Sequence, residues 1–331
     1  MNAQRFLLTT AIPSPAIELL NQAGQVIIPS QPPTHEELSA LVSSGDFDVI
    51  ITQLRDNISA ELLQNSQIKG VANYAVGFNN IDVIAATQQG IGVANTPGVL
   101  TNATADITMS LILGTGRRVI EADRFIREGH FKGWEPDLLL GNDVSGAVLG
   151  LAGFGRIARA VAKRALAFDM QVIFAPRPPH HREVSAAELG EFHGLVTQVK
   201  WEELVESSDF LSLHVPLTND THHLVDAQIL KRMKNSSILI NTARGPVVDE
   251  QALVQALTTG EIAAAGLDVF ENEPELTPGL ADLDNTMLLP HIGSATVPVR
   301  AEMSRLTALN AIAMASNQKP PHAVNPEIYD S

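Results

Sequence analysis

Three side chains in the last third of this chain have the types needed to handle a keto acid. Arg244 lies in Ile240-Asn-Thr-Ala-Arg-Gly245, Glu273 in Phe270-Glu-Asn-Glu-Pro274, and His291 in Leu289-Pro-His-Ile-Gly-Ser-Ala295. A guanidinium presents a planar fork that can hold carboxylate and carbonyl oxygens together. An imidazole titrates near working pH, so it can deliver a proton to the carbonyl oxygen. A carboxylate on the second ring nitrogen fixes the tautomer and favours the protonated donor. Each residue also has a bland alternative: a surface salt bridge for Arg244, a solvated loop charge for Glu273, a strand-capping polar group for His291. Their joint appearance beside a nucleotide turn is what favours chemistry.

That turn is Gly153-x-Gly155-x-x-Ala158. It follows the apolar run Ala147–Ala152 and opens a helical pattern over Arg156–Phe168, in which Ile157, Val161 and Ala165 recur every four residues. Gly153 permits the tight turn, Gly155 lets the backbone approach a pyrophosphate, and the small Ala158 lets helix and strand pack closely. The helix N-terminus offers unpaired N–H groups and a positive dipole end to the phosphates. NAD enzymes usually carry an acid about 20 residues on, at the end of the next strand, for the ribose hydroxyls. Here that strand ends Phe174-Ala-Pro-Arg-Pro-Pro179, so Pro176 takes the acidic position and Arg177 follows. Asp169 precedes the strand and sits at its wrong end. Arg177 can pair bidentately with a 2′-phosphate, with Arg182 and His180 as helpers; the alternative is a solvated loop arginine. The pattern predicts NADP(H) in preference to NAD(H).

The elements that must position these residues follow from the whole chain. At 331 residues it exceeds what one core usually fills, so two domains are expected. Apolar content of 45% against 18% charged residues is that of a folded globular protein. A formal net charge of −15 argues against nonspecific nucleic-acid binding and against an anionic membrane surface. Anion binding then requires local cations, which Arg156, Arg177, Arg182 and Arg244 supply. No apolar run reaches the ~18 residues of a membrane span. The N-terminus reads as a first strand rather than a signal peptide, which favours the cytoplasm. With no cysteine, thiol catalysis and thiolate metal sites are excluded. The histidine pairs His180-His181 and His222-His223 lack the helical spacing and the accompanying carboxylate of a familiar zinc site, so no metal is expected.

Up to about residue 100, Arg5–Thr10, Gln25–Ile28, Asp48–Thr52, Ile68–Asn73 and Gly92–Ala94 read as strands alternating with helices. Asn95-Thr-Pro-Gly98 is turn chemistry, and Thr101–Leu113 is helical. A second alternating unit places strands at Ala147–Ala152, Gln171–Ala175, Phe210–His214, Ser237–Asn241, Ala264–Asp268 and Met287–Leu289. Residues 296–316 are helical again. The expected fold is α/β, with two doubly wound parallel-sheet domains. A Rossmann nucleotide-binding domain (101–295) is inserted into a flavodoxin-like outer, substrate-binding domain (1–100 and 296–331). A cleft between two such domains is a usual ligand site.

Five segments in order carry a family resemblance: Gly153-Phe-Gly-Arg-Ile157; His214-Val-Pro-Leu-Thr218; Ile240–Gly245 with Val248-Asp-Glu250; Ala264-Ala-Gly-Leu-Asp-Val-Phe-Glu271; and Leu289–Thr296. The chain resembles the D-isomer-specific 2-hydroxyacid dehydrogenases, and Asn73–Asp82 and Asn95–Ala105 extend the likeness to the outer domain. The resemblance implies Arg244 as substrate anchor, His291 as acid/base and Glu273 as its partner. It implies Asp268 against the nicotinamide, backbone amides of Val76 and Gly77 on the substrate carboxylate, and Thr104 along the cofactor. Arg156, Ile157, His214, Pro216 and Thr242 fall in its cofactor-binding segments. Bland readings stand beside these: a strand-end turn for Asp268, turn geometry for Val76 and Gly77, helix surface for Thr104.

Within the family the likeness is to glyoxylate/hydroxypyruvate reductases. Thr52-Gln-Leu-Arg55 would then be the substrate-side loop, with Leu54 shaping the pocket or simply filling outer-domain core. Trp134 would close the pocket or pack in a core. Residues 101–145 resemble a dimerisation arm, implying a homodimer. Phosphite dehydrogenases carry a lysine where this chain has Val76, and formate dehydrogenases pair the histidine with glutamine rather than Glu273. The alternatives are an NADH-dependent enzyme on a larger keto acid and a dinucleotide-sensing co-repressor-like binding protein.

Overall fold

The computed structural model describes residues 3–330. The elements run in chain order as β1 (Gln4–Leu8), α1 (Ala16–Ala23), β2 (Gly24–Ile27), α2 (His35–Ser43), β3 (Val49–Thr52), α3 (Ala60–Gln64), β4 (Gly70–Asn73), α4 (Val83–Gln88) and β5 (Gly92–Ala94). Two helices follow, α5 (Thr101–Gly116) and α6 (Val119–Arg127). Then come β6 (Val148–Ala152), α7 (Arg156–Ala167), β7 (Gln171–Ala175), α8 (Ala186–Leu189), β8 (Val196–Gln198), α9 (Trp201–Ser207) and β9 (Phe210–Leu213). The rest comprises α10 (Ala227–Arg232), β10 (Ile238–Asn241), α11 (Glu250–Thr259), β11 (Ala264–Leu267), β12 (Thr286–Leu288) and α12 (Val297–Ala315). Two compact units result: one holds the chain up to Leu100 and from Ala295 onward, the other Thr101–Ser294.

The first unit is built on a five-stranded sheet of order β2-β1-β3-β4-β5 with every pairing parallel. The order reverses between β1 and β3, and in open α/β sheets ligands bind outside the strand carboxyl ends at such a reversal. All four residues of β3 and all four of β4 are buried, as expected of strands covered on both faces. α12 covers one face, setting Met303, Ala308, Ala311 and Met314 against Ile51 and Ala72. Thr296 starts that helix by accepting from the Val299 N–H, and a proline occupies its first turn. The tail beyond it is fastened by the buried Asn325, which accepts from the Val93 N–H at 2.7 Å and donates to the Ile91 carbonyl at 2.9 Å.

The second unit carries a seven-stranded parallel sheet of order β12-β11-β10-β9-β6-β7-β8. Both sheets are doubly wound, as the alternating pattern predicts. Helix α7 buries Ala158, Val161, Ala162 and Ala165 on one stripe. These pack with Ala105, Met109 and Ile112 of α5 in one apolar cluster. Small alanines let the helices approach, and burial of a side chain such as Val161 contributes roughly 1.5–3 kcal/mol. α5 is therefore a core helix, running to Gly116 rather than stopping at Leu113.

The strand β8 is not among those the sequence pattern predicts. Val196-Thr-Gln198 is three residues long at the sheet edge, too short and polar to show a period. The expected strands Phe210–His214 and Ala264–Asp268 each overrun by one residue. His214 and Asp268 instead lie just past the ladder, where the backbone turns away at the carboxyl edge.

Candidate active site

Reversal of strand order in the second sheet falls between β6 and β9. Gly153 follows β6 with φ +95, a conformation L side chains rarely adopt, and a Cβ there would lie 2.7 Å from the His214 carbonyl oxygen. Only glycine lets the two strand ends come this close. At Gly155 a Cβ would meet nothing within 4 Å, so space opens directly over the start of α7. Gly155 is the N-cap and no side chain caps the helix, leaving its first N–H groups for an anion. Ala158, fully buried, fills the close-packing position. The turn thus fits a dinucleotide pyrophosphate.

His214 closes the other side of the reversal. Its Nε2 lies 2.9 Å from Ser212 Oγ, and burial holds its pKa down to about 3, so the ring is neutral. Pro216 accepts from Thr221 Oγ1 at 2.6 Å, which organises the turn after β9. Beyond β7, Arg177 and His180 bridge the two arms of a tight turn. His180 Nε2 is 3.3 Å from Asp220 Oδ2, and Arg182 is paired with Glu188. Arg177 is exposed, and among the described residues its side chain has no ion-pair or hydrogen-bond partner. Arg156 and Ile157 open α7 with the first exposed and the second half-buried.

A carboxylate–imidazole pair forms at the carboxyl edge of β11 and β12. His291 Nδ1 lies 2.9 Å from Glu273 Oε2, and the other Glu273 oxygen accepts from the Phe270 N–H at 3.0 Å. Burial raises the Glu273 pKa. The His291 hydrogen bond and charge, the Phe270 N–H and the Arg244 charge together outweigh it, so the carboxyl is held below its ordinary range. His291 has φ +53, a left-handed backbone that costs on the order of 1 kcal/mol for a non-glycine residue. Asp268 holds it there: its two oxygens accept from the Ile292 and Gly293 N–H groups, each at 2.7 Å. Burial pushes the Asp268 carboxyl up, and these two N–H groups oppose the rise. Thr104 donates to the Gly293 carbonyl at 3.2 Å, and Thr108 meets Thr242 at 3.0 Å, tying α5 to this edge.

Arg244 sits on the loop after β10, where Asn241 Nδ2 donates to its carbonyl at 3.0 Å. Its guanidinium donates to the Ala243 carbonyl at 2.6 Å. Burial lowers its pKa while the Glu273 charge raises it, and a guanidinium remains charged throughout. The next residue, Gly245, sets the spacing of this loop. A Cβ on it would fall 1.8 Å from the Phe270 carbonyl oxygen, so the Arg244 and Glu273 loops touch backbone to backbone. Glu250 completes the clamp. This residue is 1% exposed, accepts from the Glu271 N–H at 2.6 Å and from Thr277 Oγ1 at 2.8 Å, and its own N–H donates to Glu271 Oε2 at 3.1 Å. In the sequence, Gly245, Glu250 and Glu271 stand out only as members of the matching motifs. A glycine directly after a candidate site arginine is the available sequence signal; the burial of Glu250 shows only in the fold.

In the first unit, Leu54 and Arg55 follow β3 at its order reversal, with Leu54 half-buried. Buried Asn73 and Asn80 lock the adjoining loops: Asn73 Nδ2 donates to the Gly77 carbonyl at 2.8 Å, and Asn80 Nδ2 to the Gln53 and Asp56 carbonyls at 3.0 and 3.1 Å. Asn95 Nδ2 donates to the Val76 carbonyl at 2.6 Å. With both carbonyls pinned, the Val76 and Gly77 N–H groups have no acceptor among the described residues. Trp134 is 83% exposed and belongs to no core. Within the second unit, a cavity of about 520 Å³, lined by Gly114, Arg118, Asn142, Ala264, Asn285 and Met287, lies at the amino ends of β10–β12, the edge opposite Asp268 and His291.

A parallel sheet with a glycine-rich nucleotide turn and a carboxylate–histidine pair at the same edge defines a dinucleotide-dependent oxidoreductase. Comparison with known proteins agrees. The D-isomer specific 2-hydroxyacid dehydrogenase NAD-binding domain matches residues 109–293. A glyoxylate reductase of Thermococcus litoralis is 43% identical over 334 residues, covering 99% of this chain and 98% of that protein. A crystal structure of a glyoxylate reductase from Paecilomyes thermophila superposes with a TM-score of 0.86 at 33% identity, covering 99% of this chain and 100% of that one. The NADPH-dependent glyoxylate/hydroxypyruvate reductase of Sinorhizobium meliloti, solved with NADP and malonate, gives 0.85 at 33% identity and 98% coverage of both chains. The chain belongs to the D-isomer specific 2-hydroxyacid dehydrogenase family and is an NAD(P)-dependent oxidoreductase. Among the described residues no helix is long and apolar enough to cross a membrane.

Proposed function

We propose that the protein reduces a small 2-keto acid, glyoxylate or hydroxypyruvate, to the D-2-hydroxy acid, with NADPH preferred over NADH. The observation that carries this reading is the Glu273–His291 pair at 2.9 Å, held at the same sheet edge as the nucleotide turn. The reduced dinucleotide, when bound, supplies a hydride to the carbonyl carbon. His291 gives the carbonyl oxygen its proton from Nε2, because Nδ1–H is committed to the Glu273 carboxylate. Arg244 anchors the substrate carboxylate and polarises the carbonyl. The Val76 and Gly77 amides, whose carbonyls are pinned, also serve the carboxylate, and Leu54 limits the acyl side chain. Gly153, Gly155, Arg156 and Ile157 hold the pyrophosphate, while Thr104, His214, Pro216, Thr242 and Asp268 line the dinucleotide.

Preference for NADPH rests on Arg177. Its neighbours His180 and Arg182 already have acidic partners, whereas the Arg177 fork is uncommitted and can take a 2′-phosphate bidentately. The relatives' names are consistent with the substrate class. We assign the protein to the cytoplasm as a homodimer. The dimer reading is supported by Val119, Ile120, Ile126, Phe131, Trp134 and Leu140, all exposed apolar residues past the core helix α5.

The test pairs turnover with binding. His291→Asn keeps a residue that tolerates the left-handed backbone and should lower kcat for glyoxylate by about 10² or more, with NADPH affinity by fluorescence titration unchanged. Retained kcat in that variant would remove His291 from the reaction.

A further inference from the structure

Outside the acid/base site, one cluster brings together side chains that sequence spacing keeps apart. His222 and His223 follow the turn after β9, and their rings stack with centroids 4.1 Å apart and planes 27° from parallel. His223 has φ +50, and its N–H donates to the Pro246 carbonyl at 2.9 Å, so the backbone fixes where the ring projects. Glu271 arrives from 48 residues away, its Oε1 lying 2.6 Å from His223 Nε2. One nitrogen from each ring and one Glu271 oxygen lie within 4.8 Å of one another. Glu271 is also aimed: its second oxygen accepts from the Glu250 N–H, and its own N–H is held by Glu250. The histidine pair does have a carboxylate, which the fold supplies.

We propose that His222, His223 and Glu271 bind one divalent transition-metal ion of the zinc or nickel class. Two imidazoles and one carboxylate favour these ions over magnesium and calcium, which prefer all-oxygen cages. Bound at about 2.0–2.1 Å around a tetrahedral ion, such ligands lie about 3.3 Å from each other. The His223–Glu271 pair therefore opens by a fraction of an ångström. The exposed His222 ring turns about its side-chain bonds, and water completes the shell. The ion takes the position between His223 Nε2 and Glu271, and the neutral ring then carries its proton on Nδ1. No residue of the acid/base pair is a ligand, so the site stands independently of the proposed reaction.

Isothermal titration of the metal-stripped full-length protein with zinc chloride, and separately nickel chloride, at pH 7.5 tests this. One ion per chain should bind with micromolar or tighter affinity, and Tm should rise in its presence. His222→Ala, a change at an exposed position, should weaken binding at least ~10-fold and abolish the Tm rise, since it removes one of three protein ligands. The double variant His180→Ala/His181→Ala should bind as the parent does. Absence of binding, binding indifferent to His222→Ala, or binding lost with the other histidine pair would each overturn the proposal.

Discussion

Two loops leave the carboxyl edge of the same seven-stranded sheet and solve opposite problems. The segment from Asp268 to Gly293 is closed on itself. Asp268, Glu273 and Glu271 each accept backbone N–H groups, Glu250 is buried beneath them, and Gly245 presses the Arg244 loop against Phe270. The segment from Pro176 to Glu183 is open, its charged side chains exposed, one arginine paired and another not. A proton donor must be placed to a fraction of an ångström before substrate arrives, and preorganised groups cost no reorganisation in the reaction. A phosphate clamp can close around its ligand. On the proposed function, rigidity lies with the proton donor and freedom with the loop that would recognise the phosphate.

The contrast breaks most visibly at Gly245. Gly245→Ala should lower kcat more than 10-fold, because a Cβ 1.8 Å from the Phe270 oxygen forces the Arg244 and Glu273 loops apart, and misplacement of about 1 Å can cost ~10²-fold in rate. NADPH affinity should change little, since the open loop is untouched. Equal loss of kcat and cofactor binding would mean that the two loops are not separate devices.

On the open side, Arg177→Ala should raise the NADPH KM about 10-fold, of the size expected for a lost charge-assisted pair, with the NADH KM unchanged. An unaltered NADPH KM would return Arg177 to the status of a solvated loop residue.

The nucleotide turn and the closed segment also differ in how well they can be read from the chain. Gly153, Gly155 and Ala158 were recognisable because strand, glycine spacing and helix period all act locally. Arg244, Glu273 and His291 were recognisable as residue types, but not the reason they meet. That reason lies in Gly245 against Phe270, Asp268 under Ile292 and Gly293, and Glu250 under Glu271, contacts made between segments distant in sequence. β8 escaped because a three-residue polar edge strand has no period to detect. The partner of the His222-His223 pair escaped for the same reason as the clamp: Glu271 is remote in sequence and adjacent only once the strands are paired.

A smaller effect sharpens the electrostatic side of the comparison. Glu273 is held below its ordinary value of 4.5, so it contributes stability that is present above that pH and lost as pH falls through its lower folded value. In Glu273→Gln this contribution is missing at neutral pH, and thermal melts of parent and variant should converge as pH falls from 4.5 through the lowered folded value. A gap that persists or widens in acid would contradict the sign of the shift.

The most direct measurement is the initial rate of NADPH and NADH oxidation by the purified protein with glyoxylate, hydroxypyruvate and pyruvate in parallel. Fast NADPH turnover with the first two acids, slower turnover with NADH, and little turnover with pyruvate are expected. Turnover mainly with NADH, or only on bulkier keto acids, would leave the fold and the Glu273–His291 pair standing and would contradict the assignment of Arg177 and the small-substrate reading.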